Sequence, residues 1–278
     1  MGADVHPFKG PFSGYVAMKV QDLGRFDGPV VLFGGVYSNE HALLALIKAI
    51  GGRDAICTGD IVGYCAAPNT ATALFSAEDY WSVAGNCERQ LADGSEDCGC
   101  GFDDGSACSI LSQDWWPYLL KTATPDVVTW LHNLPDIGIF THCGRRFAVL
   151  HGGATSNSRF LWPSTDEADF VHEIEALEAN VGAVDGIVAG HSGIAFHRWI
   201  DGRQWINAGA IGMPPHDGRA ETRYAVLASG EVTFERLSYD HEAAAIAMQN
   251  AGITQGYEKT LQSGIWPSED ILPDALRR

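Results

Sequence analysis

A mixed α/β fold, with two sheets packed face to face and helices outside them, is what the sequence predicts. In the first half of the chain, short apolar runs that end in glycine alternate with helical patterns. In the second half, short strand patterns dominate and one helical pattern interrupts them. This alternation gathers the loops at the carboxyl ends of the strands, where α/β folds place their functional sites.

The first half contains three apolar runs that predict buried strands. These runs are residues 29–33, 55–57 and 81–83. Asn39 is positioned to cap a helix that follows the first run, because the apolar residues after it share one helical face. A proline near the start of residues 68–75 predicts a second helix. Residues 1–28 carry no clear pattern.

The pattern changes in the second half. Residues 92–109 are rich in glycine and aspartate and predict an inserted loop that contains cysteines. Helical patterns lie at residues 110–121, 125–134 and 166–180. The predicted strands are residues 137–141, 146–150, 186–189, 194–200, 204–207, 224–227 and 232–236. We expect one domain over residues 1–278, with its core at about 29–238 and a helical tail at 239–278.

The composition is that of a globular protein with an acidic surface. Of the 278 residues, 46% are hydrophobic and 19% are charged, which is enough apolar material for a large core. The formal net charge of −17 argues against nucleic-acid backbones and anionic membranes as partners, because both would be repelled. A small phosphorylated molecule stays compatible with this charge, since a bound cation inverts the field within a cleft.

The expected location is the cytoplasm. The first residues have neither the basic region nor the apolar stretch of a signal peptide, and no apolar run reaches the roughly 20 residues that span a bilayer. The seven cysteines cannot all pair within one chain. In a reducing compartment they are better explained as thiols or metal ligands than as a disulfide framework. The sequence leaves the oligomeric state open.

Four side chains that suit a metal ion each stand beside a glycine at the end of an apolar run. They are Asp60, Asn86, His151 and His191. A carboxylate, an amide oxygen and two imidazoles suit a hard or borderline divalent ion such as Mn, Fe or Zn. Taken alone, Asp60 is explained as a turn residue and Asn86 as a helix cap. Taken together, the four favour a metal site.

The order of these motifs resembles that of the calcineurin-like metallophosphoesterases. The motifs are Gly34-Gly35-Val36-Tyr37-Ser38-Asn39, Gly59-Asp60, Gly85-Asn86, His151-Gly152 and Gly190-His191-Ser192-Gly193. Residues 205–213 and 223–226 are similar to the closing strands of the small bacterial, phosphodiesterase-like members. The resemblance covers about residues 29–238. It implies a four-layer α/β/β/α sandwich, with metals bound on loops at the strand ends.

The resemblance implies a complete ligand set for one metal of a two-metal site. The residues at the positions of the second metal's ligands are Asp60, Asn86, His151 and His191, of which the family shares the aspartate between both metals. The ligands exclusive to the first metal would stand at Gly35, Tyr37 and Gly193, and none of these is an aspartate or a histidine. We therefore expect one divalent transition metal, Mn, Fe or Zn, and an incomplete site for a second.

Catalytic roles follow from the same resemblance. Family members attack phosphorus with a metal-activated hydroxide, and Asp60 and His191 are expected to orient the attacking water. Cys87 stands where the family has the histidine of Gly-Asn-His. A thiol with an ordinary pKa of about 8.5 can donate a proton but lacks the charge of an imidazole near neutral pH. Tyr37, a space-filling residue with its hydroxyl toward the site, is the other candidate proton donor.

The cysteines of the inserted loop allow three interpretations. Cys98, Cys100 and Cys108, with Cys87, could assemble a thiolate site for Zn or Fe. The loop could instead fold over the cleft and supply replacement ligands for the missing metal. The third interpretation is that these are unligated thiols in an acidic loop. A disulfide between Cys98 and Cys100 would be strained.

The expected function is hydrolysis of a phosphomonoester or phosphodiester of a small molecule or nucleotide at a single-metal or atypical centre. Two other classes of function remain open from the sequence. In one, the missing ligands mean that the protein binds or senses a metal or a phosphorylated ligand without turnover. In the other, a metal and cysteine site performs redox or thiol-dependent chemistry with Cys87 as the working group.

Overall fold

Two sheets form the centre of the computed structural model, which describes residues 18–100 and 107–278. The six-stranded sheet has the order β1-β5-β6-β7-β9-β8, and its strands are β1 (Val20–Phe26), β5 (Ile137–His142), β6 (Arg145–Val149), β7 (Gly186–Ala189), β8 (Phe196–Ile200) and β9 (Arg203–Asn207). The five-stranded sheet has the order β11-β10-β2-β3-β4, and its strands are β2 (Val30–Phe33), β3 (Ala55–Cys57), β4 (Trp81–Ser82), β10 (Thr222–Ala228) and β11 (Glu231–Leu237).

Helices cover the outer face of each sheet. Their bounds are α1 (Glu40–Ile50), α2 (Pro68–Ala77), α3 (Asn86–Asp93), α4 (Ala107–Thr122), α5 (Pro125–His132), α6 (Glu167–Val181), α7 (His241–Asn250) and α8 (Tyr257–Ser263), with a short 3-10 turn at Asp274–Leu276. Helix α6 packs on the six-stranded sheet through Phe170 and Leu177. The other α-helices share one apolar cluster with the five-stranded sheet. The four-layer α/β/β/α prediction is therefore confirmed.

An apolar cluster lies in the layer between the two sheets. Leu32 and Ile56 of the five-stranded sheet pack there with Phe147, Val188 and Ile206 of the six-stranded sheet, and all five side chains are buried. Strands that are buried on both faces read as continuous apolar runs, because neither face of the strand meets water. This explains why the sequence pattern identified most of the strands so closely.

Local signals set the bounds of α1. The side chain of Asn39 accepts a hydrogen bond from the N–H of Ala42 at 3.1 Å, which confirms the predicted cap. At the other end, Gly51 has a left-handed backbone with φ of 58°, and its N–H bonds to the carbonyl of Ile47. Such a glycine ends a helix at little steric cost.

Two elements escaped prediction. Strand β1 pairs in parallel with β5 at a sheet edge, and only Leu23 and Phe26 among its side chains are buried, so its apolar pattern is weak. Helix α3 fills the stretch before the predicted insertion, and α4 already begins at Ala107. The predicted loop over residues 92–109 is thus shorter than expected. In the two described ranges, no helix combines the length and the apolar character that crossing a bilayer requires.

The parallel strands bring the functional loops to one place. Strands β2, β3 and β4 run parallel in one sheet, and β6, β7 and β9 run parallel in the other. The loops after β3, β4, β6 and β7 carry the predicted ligands. Because the carboxyl ends of parallel strands lie on one edge of a sheet, these loops meet where the two sheets face each other.

Candidate metal centre

The four predicted metal ligands converge on one point. Nε2 of His151 lies 3.0 Å from Oδ1 of Asn86 and 3.1 Å from Nδ1 of His191. The same nitrogen lies 3.3 Å from Oδ2 of Asp60. Asp60, Asn86 and His151 are almost fully buried, so these polar atoms face one another away from bulk solvent.

Glycines beside the ligands allow the loops to approach this closely. A Cβ atom on Gly85 would collide with the carboxylate of Asp60, and one on Gly190 would collide with the hydroxyl of Thr58. On Gly59, it would lie 2.5 Å from the backbone nitrogen of Gly85. The glycine that neighbours each predicted ligand is therefore a packing requirement of the converging loops.

Backbone contacts set the tautomer of His151. Its Nδ1 lies 2.6 Å from the carbonyl oxygen of Thr58, which accepts a hydrogen bond from it. In the neutral imidazole, Nε2 then carries the lone pair and faces the other ligands, as binding to a metal requires. No sequence signal identified Thr58, because its contribution comes from the backbone.

Glu88 is a supporting residue that the sequence analysis missed. It is fully buried, and its carboxylate accepts hydrogen bonds from the N–H groups of Asp60 at 2.8 Å, Gly85 at 2.6 Å and Val62 at 3.1 Å. Burial, and then the charge of Asp60, raise the pKa of Glu88 to about 7. Its position in the first turn of α3 was the available signal. Glu88 ties together the loops that carry two of the ligands.

Charge and burial act in opposite directions on the ligands. Burial alone would raise the pKa of Asp60, but the charge and hydrogen bond of His151 outweigh it and hold that pKa below its usual value. Burial alone would lower the pKa of His151, and the Asp60 carboxylate raises it above its usual value instead. Burial and the charge of His151 lower the pKa of His191 to about 3. His191 is therefore neutral, with a lone pair available.

The donor set and its spacing fit one divalent ion. Ligand atoms held at about 2.0–2.2 Å around a tetrahedral ion lie roughly 3.4 Å from one another, close to the separations of 3.0, 3.1 and 3.3 Å found here. Within the described ranges, one set of His, Cys, Asp or Glu ligand atoms lies within 4.8 Å of one another, from Asp60, His151 and His191. The amide oxygen of Asn86 completes a set suited to Mn, Fe or Zn.

Aromatic rings stand at the positions where the resemblance expects ligands of another metal. A Cβ atom on Gly35 would lie 2.5 Å from Cζ of Tyr37, so the tyrosine ring fills the space of any larger side chain there. A Cβ atom on Gly193 would lie 3.6 Å from Cζ2 of Trp266. Burial, and then the charge of Asp60, raise the pKa of Tyr37 well above its usual value, so its hydroxyl stays protonated.

The cysteines of the inserted loop pack around Asn86. Its Nδ2 donates to the carbonyl of Cys98 at 2.8 Å and to Sγ of Cys100 at 3.2 Å, which leaves Oδ1 directed at His151. The sulfur atoms of Cys98 and Cys100 lie 2.8 Å apart, and Cys100 lines the cleft. The loop therefore folds against the predicted ligands, and it orients one of them. The side chain of Cys108 lies outside the described residues.

Cys87 lies behind the centre. Its side chain is fully buried, and it does not belong to the described residues that line the cleft. Its backbone N–H donates to Oδ1 of Asp60 at 3.3 Å. A hydrogen bond with Cys100 lowers its pKa, but burial and the charge of Asp60 outweigh it, so the pKa of the thiol is raised well above its usual value. The thiol is thus protonated and screened from a ligand in the cleft.

A cleft of about 610 Å³, part of it open to solvent, lies beside the centre. Asp60 and His191 line it together with Tyr37 and Cys100. Further lining side chains come from Tyr64, Phe160, Ala210, Met213, Tyr257, Trp266 and Ile271. The sequence analysis did not identify this second group, because apolar and aromatic residues scattered along a chain carry no local signal of a shared surface. The volume is in the range of small-molecule sites.

Known proteins share this architecture. The model of the calcineurin-like phosphoesterase superfamily domain matches residues 35–231. An uncharacterized protein of Methanocaldococcus jannaschii is 26% identical over 267 residues, with 87% of this chain and 97% of the relative covered. A metallophosphoesterase from Sphaerobacter thermophilus has a similar structure, with a TM-score of 0.69, 20% identity and coverage of 86% of this chain and 100% of its own. The structure of a hypothetical protein from Pyrococcus horikoshii is also similar, with a TM-score of 0.68 and 14% identity. The match covers 85% of this chain and 98% of that protein.

Proposed function

Because the chain belongs to the calcineurin-like phosphoesterase superfamily, we propose that it is a metal-dependent hydrolase of a phosphomonoester or phosphodiester. The substrate is a small molecule or a nucleotide, and the reaction uses a single divalent transition metal, Mn, Fe or Zn. The observation that carries this proposal is the convergence of Asp60, Asn86, His151 and His191 on one point beside a cleft of small-molecule size.

The residues of the centre have distinct roles in the proposed reaction. Asp60, Asn86, His151 and His191 would hold a divalent ion, which would supply an activated water and polarise a phosphoryl oxygen. Asp60 and His191 line the cleft and orient the attacking water toward phosphorus. His151, held by the carbonyl of Thr58, and Asn86, held by the inserted loop, keep the ligand geometry fixed.

Protonation of the leaving oxygen falls to Tyr37 in this proposal. Its side chain lines the cleft together with Asp60, and its raised pKa keeps the proton on the hydroxyl until the leaving group develops charge. Cys87 is the weaker candidate, because its thiol is fully buried and does not line the cleft. A phenol is a weak acid, so we expect turnover to be slow relative to that of two-metal enzymes.

The test combines metal analysis with turnover. Protein purified under reducing conditions should contain about one equivalent of a transition metal by elemental analysis, and it should hydrolyse bis(4-nitrophenyl) phosphate. Asp60→Asn should reduce this rate by about 100-fold or more. Asp79→Asn, at an exposed turn, is the matched control and should leave the rate unchanged. Absence of bound metal, or an Asp60→Asn rate equal to the wild-type rate, would overturn the proposal.

Binding without turnover is the second candidate function. It is favoured by the rings of Tyr37 and Trp266, which stand against Gly35 and Gly193, because glycine offers no side-chain ligand to a second metal at those two positions. In that case the metal-loaded protein would bind phosphodiesters in calorimetry, and bis(4-nitrophenyl) phosphate would stay intact over long incubation.

A further inference from the structure

The cleft beside the candidate metal centre has an aromatic wall. Among the described residues, five aromatic side chains line it: Tyr37, Tyr64, Phe160, Tyr257 and Trp266. Phe160 packs against the imidazole of His191, with ring centroids 4.2 Å apart, so this wall reaches the centre itself. Ala210, Met213 and Ile271 add apolar surface. A cleft with this lining favours a ligand that has a flat, apolar part next to the group held at the metal.

Part of this aromatic wall stands beside the positions where the resemblance implies ligands of another metal. Tyr37 stands over Gly35, and Trp266 lies against Gly193. The resemblance implies a metal-binding side chain at each of these positions; this chain has glycine there, with an aromatic ring beside it. The surroundings of positions 35 and 193 therefore suit an uncharged ring. They do not suit a cation with bound phosphate oxygens.

Trp266 is fixed in position before any ligand arrives. Its indole N–H donates to the carbonyl of Pro214 at 2.7 Å, and its backbone N–H donates to Nδ1 of His216 at 2.8 Å. His216 is itself held by Glu269 at 2.7 Å through Nε2. A ring that is already ordered loses little conformational freedom when a ligand packs on it, which favours affinity.

The charge of the cleft limits the charge of the ligand. Among the described residues that line it, none is lysine or arginine. Arg89, three positions after Asn86, forms an ion pair with Asp136 at 2.7 Å. A divalent ion bound by one carboxylate and three neutral ligands leaves about one positive charge in excess, and the buried Glu88 can only reduce it. A phosphodiester, with one negative charge, matches this excess, whereas a phosphomonoester dianion exceeds it.

We propose that the aromatic wall is a subsite for a planar aromatic substituent of a phosphodiester monoanion whose phosphate lies at the metal centre. This inference rests on the proposed function, since it assumes that a metal ion is held by Asp60 and its partners. It narrows the substrate class from phosphoric esters in general to diesters with at least one aromatic or nucleobase-like group. Trp266 and Phe160 are the residues that contact that group.

The test uses calorimetry at pH 8 to measure the binding of three simple probes to the metal-loaded protein. Diphenyl phosphate carries rings and one charge, dimethyl phosphate carries one charge without rings, and phenyl phosphate carries a ring and two charges. Diphenyl phosphate should bind about tenfold more tightly than either of the other two. Equal affinity for diphenyl and dimethyl phosphate would overturn the aromatic subsite, and tighter binding of phenyl phosphate would overturn the preference for diesters.

Variants test the residues. Trp266→Leu should weaken binding of diphenyl phosphate about five- to tenfold and leave dimethyl phosphate unchanged, while Trp266→Phe should keep most of the affinity. Trp199→Leu is the matched control, because Trp199 is 57% exposed on β8 and does not line the cleft. Phe160→Leu, on a different loop, should give the same selective loss if the Trp266 variants do not fold. Equal weakening of both diesters would contradict the subsite.

Turnover of bis(4-nitrophenyl) phosphate separates the two proposals. Ring-selective binding without turnover would reject the hydrolase and retain the subsite. Turnover without ring-selective binding would retain the hydrolase and reject the subsite.

Discussion

Among the described residues that line the cleft, four other than glycine have backbone conformations that side chains rarely adopt. The φ values of Tyr37, Asp60, Tyr64 and His191 are 53°, 56°, 45° and 60°. Each such conformation costs roughly 1–2 kcal/mol in a residue other than glycine. Conformations of this cost persist where the surrounding structure over-determines them, and they concentrate at functional sites. Their coincidence in one cleft supports a role in ligand binding over a role in stability.

Restoring a ligand at position 35 alone should destabilise the protein. In Gly35→Asp the new side chain meets the ring of Tyr37 at a backbone φ of 49°, so we expect a loss of about 2–4 kcal/mol in unfolding free energy. Denaturant unfolding measures it. The double variant Gly35→Asp/Tyr37→His should lose less than the single one. Gly28→Asp, where a Cβ atom meets nothing within 4 Å, is the control, and an equal loss there would contradict the steric explanation.

Glu88 should control metal affinity without touching the metal. In Glu88→Gln, an amide NH₂ would face N–H groups that now donate to a carboxylate, and the loops of Asp60 and Gly85 would loosen. We expect Mn²⁺ affinity to fall about 10- to 100-fold, as for other residues that orient metal ligands. Calorimetric titration of the metal-free protein measures this. Glu235→Gln, exposed on β11, should bind Mn²⁺ like the wild type, and unchanged affinity in Glu88→Gln would exclude the orienting role.

At the scale of secondary-structure elements, the pairing of β10 with β11 places two arginine side chains next to each other. Arg223 and Arg236 are opposite each other in the register of these antiparallel strands. Like charges in that position repel, and Asp217, from the preceding loop, lies 2.6 Å from Arg236 and 3.4 Å from Arg223. Although burial alone would raise the pKa of Asp217, the two guanidinium groups outweigh it and hold that pKa below its usual value. The loop that carries Asp217 thus stabilises the pairing of β10 with the edge strand β11.

Removal of this carboxylate should destabilise the protein in a pH-dependent way. Asp217→Asn should cost about 1 kcal/mol of unfolding free energy at pH 7. Because the pKa is lowered in the folded state, the contribution of Asp217 is complete above the unfolded pKa of about 3.9 and is lost as the pH falls through the folded pKa. Urea unfolding at pH 7 and at pH 3 should show the difference from wild type shrinking in acid. If the difference in unfolding free energy between the wild type and Asp217→Asn grew in acid, the folded-state pKa of Asp217 would be raised and not lowered. The control Asp79→Asn should show no difference from the wild type at either pH.

At the scale of the whole molecule, the candidate centre joins the two sheets. Asp60 and Asn86 follow strands of the five-stranded sheet, and His151 and His191 follow strands of the six-stranded sheet. An ion bound by all four would link the sheets at one edge of the layer between them. Because the ligands come from such distant parts of the chain, the unfolded chain cannot present them together, and metal binding is coupled to folding.

Metal binding should therefore raise the unfolding temperature. At a free Mn²⁺ concentration about 100 times the Kd, the stabilisation is about 2.7 kcal/mol, which corresponds to roughly 5–10 °C in a chain of this size. Differential scanning calorimetry with and without chelator measures it. The increase should disappear in His151→Ala and persist in His132→Ala, an exposed histidine at the end of α5. If Mn²⁺ raised the unfolding temperature of His151→Ala as much as that of the wild type, the ion would bind at a site other than the candidate centre.

The sequence by itself determined every strand except β1, most of the helices and the loops that carry the four predicted ligands. These features depend on local signals: apolar runs buried on both faces, caps such as Asn39, and glycines that close approach requires. The order of the motifs, which matches that of the calcineurin-like family, then placed Asp60 and His191 at one edge of the sheets. Strand β1 was missed because an edge strand with few buried side chains carries little of that signal.

The tertiary structure alone decided what surrounds those ligands. Glu88 reaches back to Asp60 across 28 positions, the inserted loop turns the amide of Asn86, and Trp266 arrives from the C-terminal segment to stand against Gly193. Such contacts join residues that are far apart in the chain, and no spacing or periodicity encodes them. The sequence could therefore show that positions 35 and 193 are glycine, whereas the packing of the folded chain decided that the ring of Trp266 stands against Gly193.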